Sequence, residues 1–151
     1  MLQRTSPGAA GHARESGWVS DEAAAIDSCD QPVPRASARD LVAWMLGRLR
    51  RFRVRGPSME PTLRDGQTVL VDPRAYTRSP PRAGEVVLAM HPIRPSLRIL
   101  KRVRTAELGR VGDVRLDLRG DSPQSSCDSR TFGRVALNQI VGRVVAILSD
   151  G

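Results

Sequence analysis

The period of the hydrophobic pattern changes near Phe52. Before it, Leu41, Val42, Met45, Leu46 and Leu49 recur three and four residues apart, the apolar stripe of a short helix. Ser37, with Asp40 three positions on, supplies an N-terminal cap of the capping-box kind. From Phe52 the apolar residues gather instead into short β-rich runs at 67–72, 85–90, 97–103, 113–119 and 140–148, with 51–54 able to form another. In 113–119 the alternation is clean, and Val114, Leu116 and Leu118 share one face. Asp65-Gly66, Ser79-Pro80-Pro81, His91-Pro92 and Gly120-Asp121 punctuate the runs as turns. No helices alternate with these strands, so the pattern predicts a mainly β, barrel-like or sandwich domain over 52–151. A short amphipathic helix lies within 36–51. Residues 1–35 have no sustained period and read as a disordered extension. The helix, followed by Arg48, Arg50 and Arg51, is expected to dock on the domain; lying on an anionic membrane is its other use.

Composition sharpens this outline at two points. A hydrophobic fraction of 40% supports a core, but aromatics are only 3%, so that core rests on Val, Leu, Ile and Ala. A net charge of +8 raises nucleic acid and anionic membrane as partners. The arginines are dispersed, and few aromatics are present to stack on bases, so nucleic-acid binding is not expected. Cys29, Cys127, His12 and His91 lack the spacing of a zinc site, and no metal or cofactor is expected. The longest apolar run near the start, at 41–46, is far short of the roughly twenty residues of a membrane span. No secretory signal is evident, which points to the cytosol, with peripheral membrane contact compatible.

The second point concerns lysine. Of 24 basic residues, only Lys101 is a lysine. Arginine keeps its proton in a protein, whereas a buried lysine can become a neutral amine and hence a base. In Arg98-Ile99-Leu100-Lys101-Arg102-Val103, strand alternation puts Lys101 on a face with Ile99 and Val103 and turns Arg98, Leu100 and Arg102 the other way. A serine nucleophile needs such a base. Ser58, in the Gly/Pro-punctuated turn Gly56-Pro57-Ser58-Met59-Glu60-Pro61, is the candidate. Read blandly, Ser58 is a turn serine and Lys101 an edge-strand lysine that protects against aggregation. His91 with Asp121 or Asp128 is the competing base arrangement.

Three stretches carry a family resemblance. Gly56-Pro57-Ser58-Met59-Glu60-Pro61-Thr62-Leu63 resembles the serine box of signal peptidase I-type proteases, and Leu100-Lys101-Arg102-Val103 resembles their lysine box. The segment from Gly120-Asp121-Ser122 through Ser126-Cys127-Asp128-Ser129-Arg130 resembles their third box. The resemblance implies a signal peptidase/LexA-like antiparallel β domain in which Ser58 attacks the scissile carbonyl and Lys101 takes its proton. The backbone N–H of Ser58 would contribute to the oxyanion hole. Ser126 would hold the lysine amine, Met59 would pack beside the site, and Asp128 with Arg130 would form a structural pair near Gly120 and Asp121. Some members use a serine hydroxyl two residues before the nucleophile as a second oxyanion donor; Gly56 stands there in this chain.

Within the family, the compact size and Val71-Asp72-Pro73-Arg74-Ala75-Tyr76 with His91-Pro92 look most like the proteases that mature nickel-type superoxide dismutase. The partner so implied is a protein precursor, the nickel superoxide dismutase proenzyme. The alternatives are a general leader peptidase and a non-catalytic basic β module on DNA or anionic lipid.

Overall fold

The computed structural model describes residues 32–109, 112–124 and 127–150. Helix α1 spans Ala38–Met45. It starts where Ser37 and Asp40 cap each other: the Asp40 N–H donates to Ser37 Oγ at 3.4 Å, and the Ser37 N–H donates to Asp40 Oδ2 at 2.8 Å. The chain turns at Gly47, whose φ of 70° suits glycine, and re-enters as strand β1 at Arg50–Arg53. The helix is thus shorter than the 36–51 segment that the stripe predicts.

The remaining strands are β2 (Thr68–Asp72), β3 (Val86–Met90), β4 (Arg98–Leu108), β5 (Val114–Arg119), β6 (Val135–Ala136) and β7 (Ile140–Ser149), with a one-turn helix α2 at Ser129–Phe132. They form one seven-stranded sheet in the order β1-β2-β7-β3-β4-β5-β6. Every pairing between its strands is antiparallel. This is the mainly β fold that the pattern predicts. Strands β3 to β6 run as a meander, and β7 returns to lie between β2 and β3. Gly142 permits that insertion: a Cβ there would sit 2.4 Å from the carbonyl oxygen of Asp72 on β2.

The sheet curls so that apolar residues fill both of its faces. One cluster holds Val54, Met59, Leu63, Val69, Val71, Val86, Leu88 and Val144. The other holds Val87, Ala89, Val103, Leu116, Leu118 and Val135. Each fully buried aliphatic side chain contributes on the order of 1.5–3 kcal/mol. Their adjacency along β3, where Val86, Val87, Leu88 and Ala89 are all buried, explains why that strand reads as a continuous apolar run rather than an alternating one.

Two expectations are corrected here. Residues 32–35, assigned to the extension, are held against β7: the Ile147 N–H donates to the carbonyl of Pro34, the Ala36 N–H donates to the carbonyl of Ile147, and Val33 packs on the first cluster. Residues 1–31 lie outside the described part. Helix α1, expected to dock, buries none of its residues. Val42, Met45 and Leu46 are 55%, 80% and 67% exposed. It meets the sheet at Trp44, whose ring centre lies 5.8 Å from the Arg51 guanidinium.

Candidate active site

The segment from Val54 to Gln67 is a loop closed on itself. The Val54 N–H donates to the carbonyl of Gln67, and the Gly66 N–H donates to the carbonyl of Val54. Asp65 Oδ1 accepts the Gly56 N–H at 2.8 Å. Met59 and Leu63 anchor the loop in the core, which leaves the neighbouring Ser58 half-buried at the surface of a cleft of about 650 Å³. The Ser58 carbonyl accepts the Ser122 N–H at 3.1 Å and so ties this loop to the third box. The Gly56 N–H is already engaged by Asp65, so a second oxyanion donor does not come from that amide.

Lys101 reaches the same cleft from β4. It is 3% exposed, between Leu100 and Arg102, with Val103 beyond. Burial pushes its amine below the usual lysine value of 10.5, while the charges of Asp128, Cys127 and Asp121 pull it part of the way back. The inward position expected of Lys101 is the observed one. The outward position expected of Arg102 is not: it is 1% exposed, because β4 is covered on both faces at this point.

Arg102 spends its donors on three separate segments. Nε and Nη2 meet Asp121 Oδ1 and Oδ2 at 2.8 and 2.6 Å. Nη1 donates to the carbonyl of Gly84 at 2.7 Å, and Nη2 to Thr62 Oγ1 at 2.9 Å. One buried guanidinium therefore joins the serine loop, the lysine strand and the third box, and Asp121 serves Arg102. No signal in the sequence set Arg102 apart from its strand neighbours Arg98 and Arg104; an acidic residue in the third box was the one visible partner.

Asp128 is fully buried. It accepts Arg130 Nε at 2.9 Å and Nη2 at 2.7 Å and caps α2 by accepting the Arg130 N–H at 3.1 Å. Ser129 Oγ accepts the Leu118 N–H at 2.8 Å, which fixes α2 to β5. Ser126 lies outside the described residues. Gly120 is buried at the end of β5, beside Asp121. His91 also lines the cleft, but its Nδ1 accepts the N–H groups of Ile93 and Arg94, both at 3.2 Å. Nδ1 is thus engaged by its own turn. Its ring stacks at a tilt 4.9 Å from Phe132. His91 caps the β3–β4 turn.

Two strand edges without a partner among the described residues border the cleft. β1 pairs there with β2 alone. β4 pairs with β3 over Arg98–Arg102 and with β5 only from Arg102 onward, so its first half has one neighbour among the described residues. An extended polypeptide can add to such edges through its main chain.

Residues 41–114 match the family model described as "Signal peptidase, peptidase S26". That stretch carries α1 through β4, and with it both Ser58 and Lys101. Among curated relatives, mitochondrial inner membrane protease subunit 1 of Xenopus tropicalis is 33% identical over 106 residues, covering 59% of this chain and 62% of that protein. The human subunit 1 is 31% identical over 108 residues, covering 59% and 63%. Mitochondrial inner membrane protease subunit 2 of Danio rerio is 34% identical over 113 residues, covering 64% and 62%. The chain thus spans somewhat under two thirds of the length of the relatives it matches. Over 41–114 the chain is thus similar to the signal peptidase, peptidase S26 family, and its antiparallel β fold is consistent with that similarity. No helix among the described residues is long and apolar enough to cross a membrane.

Proposed function

We propose that the protein is a serine endopeptidase that removes an N-terminal leader from a protein precursor, with Ser58 as nucleophile and Lys101 as base. The observation that carries this reading is the entry of one serine and the chain's sole lysine into one cleft, with the amine buried and its pKa lowered. A neutral Lys101 accepts the Ser58 hydroxyl proton as Oγ attacks the scissile carbonyl. The oxyanion is met by the Ser58 N–H. Lys101 then returns the proton to the leaving amine, and a water attacks the acyl-enzyme with the same lysine as base. The buried Asp121–Arg102 pair and the buried Asp128 carboxylate, held by the exposed Arg130, hold the walls of the site. Ser126 is the proposed hydroxyl partner of the amine, and Met59 is the packing residue beneath the nucleophile.

For the substrate, the sequence resemblance points to the nickel superoxide dismutase proenzyme, whereas the mitochondrial relatives favour a broader leader peptidase. Co-expression separates the two. The full chain is expressed with the dismutase precursor or with an unrelated leader-bearing protein, and the N-terminus of each product is read by mass spectrometry. Trimming of the dismutase alone supports the narrow reading, and trimming of both supports the broad one. Trimming that persists with Ser58→Ala sinks the proposed nucleophile.

A further inference from the structure

Charge along the cleft is of one sign. Arg53 and Arg55 stand on the segment leading from β1 to Ser58, and Arg94 and Arg98 on the β3–β4 hairpin; all four line the cleft, and no Asp or Glu among the described residues does. All four side chains are exposed, and none is in an ion pair among the described residues. Among the described residues, seven arginines outside the cleft face a carboxylate and others, such as Arg64 and Arg104, do not; what sets the cleft apart is that four arginines converge on a lining that holds no acid. The Arg98 guanidinium lies 5.3 Å from the centre of the Phe52 ring, which holds its charge on the cleft wall. Uncompensated charges of one sign over low-dielectric walls focus their field into the cleft between them.

On the peptidase reading above, we propose that the cleft selects extended polypeptides with Asp or Glu close to the scissile bond. Alternate side chains of a strand added at the β1 or β4 edge point to opposite sides. One set meets the apolar floor of Met59, Leu88 and Leu100, and the other reaches the arginine rim. A polypeptide is favoured over an anionic lipid headgroup because these arginines share the cleft with Ser58 and Lys101, while the exposed apolar residues of α1 do not line it. Ile93 and Leu97, exposed on the same hairpin, make lipid the competing occupant that the test must separate.

The test is a randomised peptide library digested by the full chain, with products read by mass spectrometry. Peptides with Asp or Glu near the cut are expected to exceed their Lys counterparts in cleavage rate by roughly three- to tenfold, the scale of two exposed ion pairs. The preference should fade in about 1 M salt, where the screening length is about 3 Å. Arg94→Glu with Arg98→Glu should invert it, and Arg94→Gln with Arg98→Gln should flatten it. Cleavage without charge preference, or a preference untouched by these variants, overturns the inference and leaves the peptidase reading standing. If no library member is cut, both fall. If the variants lose binding to phosphatidylserine vesicles while the peptide preference stays unchanged, the arginines serve a lipid surface and the inference is wrong.

Discussion

Asp121→Asn should be among the most damaging single-atom changes the fold can suffer. The Arg102 side chain is 1% exposed and that of Asp121 6%, and two hydrogen bonds of 2.8 and 2.6 Å join them. The amide removes the counter-charge and turns one acceptor into a donor that faces a guanidinium N–H. Breaking a buried pair in this way costs about 3–5 kcal/mol. The carbonyl of Gly84 and Thr62 Oγ1 continue to accept from Arg102, so the low end, about 3 kcal/mol, is expected. That is a large share of a domain stability of about 5–15 kcal/mol, and it corresponds to a fall in Tm of roughly 10 °C. Urea denaturation followed by circular dichroism measures it. Arg102→Met combined with Asp121→Leu should cost less than the two single changes added together, because neither partner is then left as an uncompensated buried group. A loss below about 1 kcal/mol for Asp121→Asn, the scale of an exposed pair, would refute the reasoning.

Other consequences follow from the same structure. Burial lowers the Lys101 pKa from 10.5 in the folded chain, so the unfolded chain binds that proton more tightly, and wild-type stability should rise with pH between the lowered value and 10.5. Lys101→Met should remove this rise and stabilise the fold at neutral pH by about 1 kcal/mol; a destabilised variant in urea titrations would show that the amine's contacts outweigh its burial. Glu at Val42 or Met45 should change stability by less than about 0.5 kcal/mol, since both side chains face solvent, and a larger loss would mean that α1 is docked after all. Gly142→Ala should cost more than about 2 kcal/mol in the same titration, because the new methyl meets main chain rather than a movable side chain. A neutral result there would mean that β2 and β7 separate freely.

The strands were legible because their apolar runs are bounded by strong turn formers. The runs at 67–72, 85–90, 113–119 and 140–148 became β2, β3, β5 and β7 within a residue at most ends. β6 and α2 were not legible: both are shorter than any period; α2 is held by the bonds of Asp128 and Ser129 to main-chain amides, and β6 by its pairing with β5. The inward Lys101 followed from alternation, but Arg102 did not, since alternation assumes one wet face and β4 has none there. The stripe of α1 suggested docking because an isolated apolar face normally finds cover; in the described part none of its residues is buried, and it meets the sheet at Trp44. That Ser58 and Lys101 line one cleft could be expected from afar because the chain has a single lysine. The arginine rim could not, because its members come from the end of β1 and the segment after it and from a hairpin about forty residues downstream.

The most direct test of the Ser58–Lys101 pairing is the pH dependence of kcat/KM on a cleaved peptide, in the wild type and in Lys101→Arg. With a neutral amine as base, the rate should rise with pH, level off at an inflection below the ordinary lysine value of 10.5, and vanish in Lys101→Arg at every pH. Activity that survives Lys101→Arg, or an inflection that disappears with His91→Gln instead, would contradict it.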